Sequence, residues 1–188
     1  MYRLYLKRPF DILIAGTGLI VLSPVLLLTA LAIRLEDGAP ALFRQRRVGR
    51  NGSLFTVLKF RSMPVNTGDM PSAEARSAEV TKVGKFIRRT NIDELPQLFN
   101  VVKGDMSLVG PRPALPAQRQ LCEYRAQNGA LACKPGLTGL AQINSYDGMP
   151  EREKAEWDGR YASVISVLTD AGIVVRTFGY LLKRPPVY

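Results

Sequence analysis

The sequence predicts an α+β chain: an apolar N-terminal helix–break–helix, a small β-hairpin, and several amphipathic helices suited to a membrane interface. Three observations carry this. Phe10 to Ile33 is almost wholly apolar and is interrupted at Ser23-Pro24. Two short strand-like runs, Ala41–Arg47 and Leu54–Phe60, flank Asn51-Gly52, a strong hairpin signal. Elsewhere the apolar positions recur at steps of three and four, the helical period. Residues 1–36 read as one unit, and 37–188 as a second that holds the polar motifs.

Composition narrows the chemistry. The chain has 188 residues, enough for one domain with a sizeable core, and a formal net charge of +10. Such an excess calls for an anionic partner: nucleic acid, an acidic membrane surface or a phosphorylated substrate. The sequence has no histidine, which removes the commonest general base, the Ser-His triad and imidazole metal sites. Catalysis, if present, rests on carboxylates, cations, hydroxyls, thiols or a metal held by oxygen. Cys122 and Cys133 have neither disulfide-framework nor zinc spacing and fit a reducing compartment.

The apolar run follows Lys7-Arg8 and would reach roughly 36 Å as a straight helix, enough for a bilayer core of about 30 Å. Pro24 kinks it. Basic residues flank both ends: Lys7 and Arg8 before, Arg34, Arg44, Arg46, Arg47 and Arg50 after. The positive-inside rule places both ends on one side, giving a hairpin that dips into one leaflet; a kinked single span fits the proline equally well. Glu36 to Pro40 reads as a turn. Lys59 and Arg61 share a strand face, where they suit a phosphate or simply protect a sheet edge. Met63 to Val80 has no apolar period and reads as a loop over a site. Lys82–Arg89 reads as a short helix with Val83, Phe86 and Ile87 inward.

The next stretch is Arg88-Arg89-Thr90-Asn91-Ile92-Asp93-Glu94-Leu95-Pro96-Gln97-Leu98. Leu95, Leu98, Phe99 and Val102 predict a helix, with Gly104 as its stop. Asn91 and Glu94 have capping-box spacing, although Pro96 would also suit a start near Leu95. Either start puts Asp93 and Glu94 at a helix N-terminus, where both should be ionised. The carboxylates either cap the helix or carry chemistry; neighbouring Arg88 and Arg89 suit phosphate as well as a salt bridge. The Gly110-Pro111-Arg112-Pro113 loop is stiff. Pro116–Gln127 reads as a helix with Leu121 and Tyr124 inward, and Lys134–Gly139 as a rigid turn leading into Leu140–Asn144. A helix opening at Pro150 carries Trp157 and Tyr161. The last segment forms one stripe of Val164, Val167, Leu168, Ala171, Val174, Val175, Phe178, Leu181 and Leu182, either in the core or in the headgroup layer. Asp158 and Asp170 punctuate these helices, where a carboxylate usually pairs with an arginine.

Taken in order, Lys7-Arg8-x-Phe10-Asp11, Ser23-Pro24, Lys59-Phe60-Arg61-Ser62-Met63, Arg88-Arg89-Thr90-x-x-Asp93-Glu94-Leu95-Pro96-Gln97, Gly104 to Pro113 and Lys134 to Gly139 resemble the bacterial sugar transferase family, the monotopic phosphoglycosyl transferases. The resemblance runs over nearly the whole chain and implies the minimal catalytic form. It implies a re-entrant membrane helix, with the catalytic part on the cytoplasmic face of a bacterial inner membrane. It also implies transfer of a sugar-1-phosphate from a UDP-sugar donor to polyprenyl phosphate, with anionic inner-membrane lipids around the protein. By the same resemblance Asp93 is the nucleophile, giving a phosphosugar–aspartyl intermediate. Asp93 and Glu94 would hold Mg²⁺, and Lys59, Arg88 and Arg112 would neutralise phosphate. Gln142, Asp158 and Asp170 follow as substrate-positioning candidates, and Lys7, Arg8, Ser23 and Pro24 as the determinants of the membrane hairpin. Many members carry Gly-Arg-Asn where this chain has Ser145-Tyr146-Asp147, a departure bearing on donor choice.

The competing class is a basic, membrane-anchored binding or scaffold protein without catalysis. No nucleic-acid motif is present, and aromatics are not interleaved with the basic residues, so no nucleic-acid partner is expected. The donor sugar and the oligomeric state, a dimer included, stay open.

Overall fold

A computed structural model describes residues 1–38, 40–64, 80–146 and 148–181. Most of the loop expected over Met63–Val80, together with Asp147 and Leu182, lies outside the described residues.

After a π-helical turn at Tyr2–Leu6, the apolar run forms helices α1 (Lys7–Val21) and α2 (Ser23–Asp37), bent by 60° at Leu22. Pro24 sits in the first turn of α2, where its missing N–H leaves no bond unmade. The Ser23 hydroxyl donates to the Ile20 carbonyl at 2.8 Å, closing the end of α1. No single helix among the described residues is long and apolar enough to cross a membrane; the bent pair meets the length and composition only together. Glu36 and Asp37 remain helical, so the expected turn begins instead at Gly38, whose φ of 65° closes the helix. The reason lies in tertiary contact: the Glu36 carboxylate accepts the backbone N–H groups of Lys82 and Val83 and caps α3 (Lys82–Arg89) from outside.

Strands β1 (Leu42–Val48) and β2 (Leu54–Phe60) pair antiparallel, with Leu42 opposite Phe60 and Val48 opposite Leu54. The first strand lies one residue later than expected because Val48 also bonds to Ala114. Asn51, with φ 54°, turns the hairpin. The inner face of β2 packs under the N-terminal helices through two clusters. Ala15, Val57, Leu98, Val101 and Met106 join α1 and β2 to α4 (Gln97–Lys103). Ile33, Phe60 and Ile87 join α2, β2 and α3.

A second sheet escaped the sequence reading. β3 (Ser107–Val109) pairs parallel with β4 (Gly136–Thr138), the stretch expected to be only a turn. Val109 of this sheet packs with the short α6 (Leu140–Ile143), α7 (Glu151–Ser163) and α8 (Val167–Leu181), while α5 (Arg119–Gln127) packs on α7. α5 starts three residues later than expected, with Gln118 taken up by bonds to Leu115 and Glu151.

The faces of α3 and α4 differ from expectation, while that of α8 divides between the two readings given for it. In α4 the buried residues are Gln97, Leu98, Asn100 and Val101, whereas Phe99 and Val102 are exposed. Asn100 makes the difference, because its amide bonds to Thr56 and Leu58 of β2 and turns that face inward. Phe86 of α3 is exposed as well. In α8, Asp170 and Ile173 face the core, while Val167, Leu168, Val175 and Phe178 of the expected stripe lie outside, as does Val164 just before the helix.

Candidate active site

Asp93 and Glu94 sit on a 3₁₀ turn, Ile92–Glu94, between α3 and α4. The capping box does not form. Asn91 takes a left-handed φ of 56°, its side chain caps nothing, and Pro96 fills the N-cap position of α4. The chain reverses at Asn91 and carries both carboxylates back against β2.

Glu94 becomes the hub of the site. Lys59 Nζ donates to its Oε1 at 2.7 Å, and Arg112 Nη2 reaches the same oxygen at 2.7 Å. Arg112 Nη1 approaches Oε2 at 3.4 Å. Burial alone would raise the Glu94 pKa, but the Arg112 guanidinium and Lys59 ammonium hold it well below the usual carboxylate range. Asp93 goes the other way. Burial, and then the adjacent Glu94 charge, push its pKa up to about 6 against the pull of Lys59, Arg112 and Arg88. Both carboxylates are thus ionised at neutral pH, as expected, but Asp93 by a margin of only about one pH unit.

Each cation arrives from a different element. Lys59 is fixed by β2, whose backbone Asn100 stitches to α4 at Thr56 and Leu58. Arg88 ends α3, with Nε donating to Ser62 Oγ at 2.8 Å. Arg112 follows β3, and its carbonyl accepts Arg125 Nη1 at 3.0 Å. Arg61, on the same run as Lys59, lies just past the strand, its backbone N–H on Ala41.

Gly110, Gly136 and Gly139 bring the two glycine–proline motifs into backbone contact. A Cβ on Gly110 would lie 2.3 Å from the Lys134 carbonyl oxygen, and one on Gly139 2.1 Å from the Gly110 carbonyl oxygen. Gln142 packs behind this contact, its amide on the Leu137 carbonyl.

The remaining predicted residues are held within the scaffold. Asp158, 1% exposed, pairs with Arg125 at 2.7 Å. Asp170 accepts Lys7 Nζ at 2.5 Å, Tyr2 at 2.7 Å and Tyr161 at 2.8 Å. Arg8 donates to the Val101 and Val102 carbonyls at the end of α4. Lys7 and Arg8 therefore tether α1 to the rest of the protein in addition to lending it basic charge. Sequence reasoning missed Asn100 and Arg125, polar residues at helical core positions; that mismatch was the only available signal. Among the described residues no group of three or more acidic or thiol side chains converges as a metal cage.

Two adjacent carboxylates, one of them paired with a lysine and an arginine, make a site suited to a phosphorylated group. The chain belongs to the bacterial sugar transferase family, whose profile matches residues 2–184. It is 42% identical over 194 residues to a UDP-glucose:undecaprenyl-phosphate glucose-1-phosphate transferase of Caulobacter vibrioides, covering 97% of this chain and 72% of that protein. It is 44% identical over 184 residues to a transferase of the same description from Escherichia coli K12, covering 92% of this chain and 39% of that one. An undecaprenyl-phosphate galactose phosphotransferase of Salmonella typhimurium is 37% identical over 202 residues, covering 98% of this chain and 42% of that one. The chain thus spans about two fifths of the length of several of its relatives.

Proposed function

We propose that this protein transfers a sugar-1-phosphate from a uridine diphosphate sugar to polyprenyl phosphate. The observation that carries the proposal is the arrangement of charge at the site: the Asp93 carboxylate beside a Glu94 already paired with Lys59 and Arg112. In the first step an Asp93 oxygen attacks the sugar-side phosphorus. A P–O bond forms, the bond to the bridging oxygen breaks, and uridine monophosphate leaves with that electron pair. In the second step a phosphate oxygen of the polyprenyl carrier attacks the same phosphorus, and the aspartyl–phosphate bond breaks to restore the carboxylate. No net proton is required. Carboxylates serve as nucleophiles in such chemistry, and fixed cations stabilise the charge on the transferring group.

Lys59, Arg88 and Arg112 bind and orient the diphosphate. Glu94 holds two of these cations in place before the donor arrives. Mg²⁺ would suit the oxygen donors here, and Asp93 would be the residue to hold it. Glu94 would join it only through Oε2, because Lys59 and Arg112 Nη2 both lie on Oε1. When bound, the ion would supply charge neutralisation of the diphosphate.

The bent pair α1–α2 supports a re-entrant seat in one leaflet of the bacterial inner membrane, with the site facing the cytoplasm. Leu13, Ile20, Leu27, Leu28 and Leu31 are exposed on it. Phe86, Phe99 and Val102, and Leu168, Val175 and Phe178 of α8, add outward apolar surface suited to the interface, with anionic lipids meeting the basic residues.

The test is purified protein with a panel of uridine diphosphate sugars, Mg²⁺ and polyprenyl phosphate. Release of uridine monophosphate and appearance of a polyprenyl diphosphosugar are expected for at least one donor. Vesicle binding without turnover of any donor would favour the scaffold class instead.

A further inference from the structure

Asp11 stands out in α1. It lies one turn beyond Lys7 in an otherwise apolar helix, yet it is 5% exposed. Its Oδ2 accepts the Ser107 hydroxyl at 2.7 Å and its Oδ1 the Leu108 N–H at 3.1 Å. Among the described residues it forms no ion pair. A buried carboxylate without a cation is an expensive way to anchor a helix. Anchoring alone does not need it, because Lys7 already grips Asp170 and Arg8 already grips the end of α4.

What Asp11 holds is the start of the segment that delivers Arg112. From Ser107 to Arg112 the chain has little slack. Leu108 is fixed by Asp11, the Val109 carbonyl by Tyr161 at 3.0 Å, the Gly110 N–H by Thr138 at 2.9 Å, and the Arg112 carbonyl by Arg125 at 3.0 Å. The Pro111 carbonyl accepts the Gly136 N–H at 2.9 Å. These bonds fasten Ser107–Arg112 to β4, α5 and α7 as one body, so Asp11, gripping its first residues, sets where that body and its Arg112 sit against α1.

We infer that Asp11 is a positioning residue for the transfer reaction, setting Arg112 against Glu94 and the donor phosphates and tying the seat of the N-terminal helix to the active site. The inference rests on the transferase proposal. It extends that proposal to α1, whose other contacts pack and tether it.

The test compares Asp11→Ala, Asp11→Asn and Ser107→Ala, each alone and with Arg112→Lys. The readouts are uridine monophosphate release with uridine diphosphate glucose and other donors, and the melting temperature. Asp11→Ala should lower kcat by about thirty- to hundredfold, the scale of an ångström-sized misplacement. Asn keeps an acceptor for Leu108 and a donor for Ser107, so Asp11→Asn should recover kcat to within about fivefold of wild type. In the Arg112→Lys background the loss from Asp11→Ala should shrink to about threefold or less, because the fork it positions is already gone. If Asp11→Ala does not fold, Ser107→Ala should show the same non-additivity on a smaller scale. Losses that multiply undiminished across both backgrounds and follow the melting temperature would overturn the inference while leaving the transferase proposal intact. A wild-type protein that turns over no donor would remove both.

Discussion

Replacing Glu94 by Gln separates the two carboxylates' roles. The change removes the charge next to Asp93 and the anionic acceptor of Lys59 and Arg112 while keeping shape. Two like charges about 6 Å apart interact by about 3 kcal/mol at an effective dielectric of about 20. That corresponds to about two pH units. Because Lys59 and Arg112 already offset much of the Glu94 charge, about one unit should survive. The Asp93 pKa, held near 6 by burial and then by Glu94, should therefore fall toward about 5 in the variant. In the proposed mechanism ionised Asp93 is the attacking form, so the rate should rise with pH through its pKa. The assay is the initial rate of uridine monophosphate release between pH 4.5 and 8, on the order of one measurement every half unit. The acid limb should move down by about one unit while the plateau drops, since Arg112 and Lys59 lose their common anchor. A limb that stays in place or moves upward would show that Glu94 does not hold Asp93 up, and would refute the electrostatic argument.

Three further outcomes follow from the same geometry. The folded Asp93 pKa is raised from 3.8 to about 6, so its stabilising contribution is present below pH 4 and lost as pH rises through 6. Asp93→Asn should therefore melt higher than wild type at pH 8, by about 1–2 kcal/mol after discounting for solvent, with the gap closing near pH 4. Asp158→Asn strands the buried Arg125 and should lower stability by about 3–5 kcal/mol in chemical denaturation; a change under about 1 kcal/mol would mean the pair is dispensable. Gly110→Ala drives a Cβ into the Lys134 carbonyl at 2.3 Å, so the variant should lose most transfer activity and melt several degrees lower.

Much of this architecture was written locally. The Ser23-Pro24 break, the Asn51-Gly52 hairpin and the helix over Lys82–Arg89 each follow from a residue whose backbone preference acts within a few positions. The parallel pairing of β3 with β4 was not legible, because Ser107–Val109 and Gly136–Thr138 are too short to show an alternating pattern. Gly110, Gly136 and Gly139 read only as parts of stiff turns, because their close backbone approach joins segments far apart in the chain. The faces of α3 and α4 were misjudged, and that of α8 was left open, for a related reason. Periodicity finds an apolar stripe but cannot say whether protein or membrane covers it, and Asn100 and Asp170 turned the polar sides inward through long-range bonds. At the site, Asp93, Glu94, Lys59, Arg88 and Arg112 were all named from sequence motifs. The division of labour between the carboxylates was not, because it depends on which of them Lys59 and Arg112 reach.

The central claim is that Asp93 itself takes the phosphosugar. Purified protein incubated with a uridine diphosphate sugar and no polyprenyl phosphate, then digested and analysed by mass spectrometry, tests it directly. The account predicts a phosphosugar adduct on the peptide containing Asp93, discharged by added polyprenyl phosphate and lost in Asp93→Asn. An adduct on another residue, or transfer activity that persists in Asp93→Asn, would contradict it.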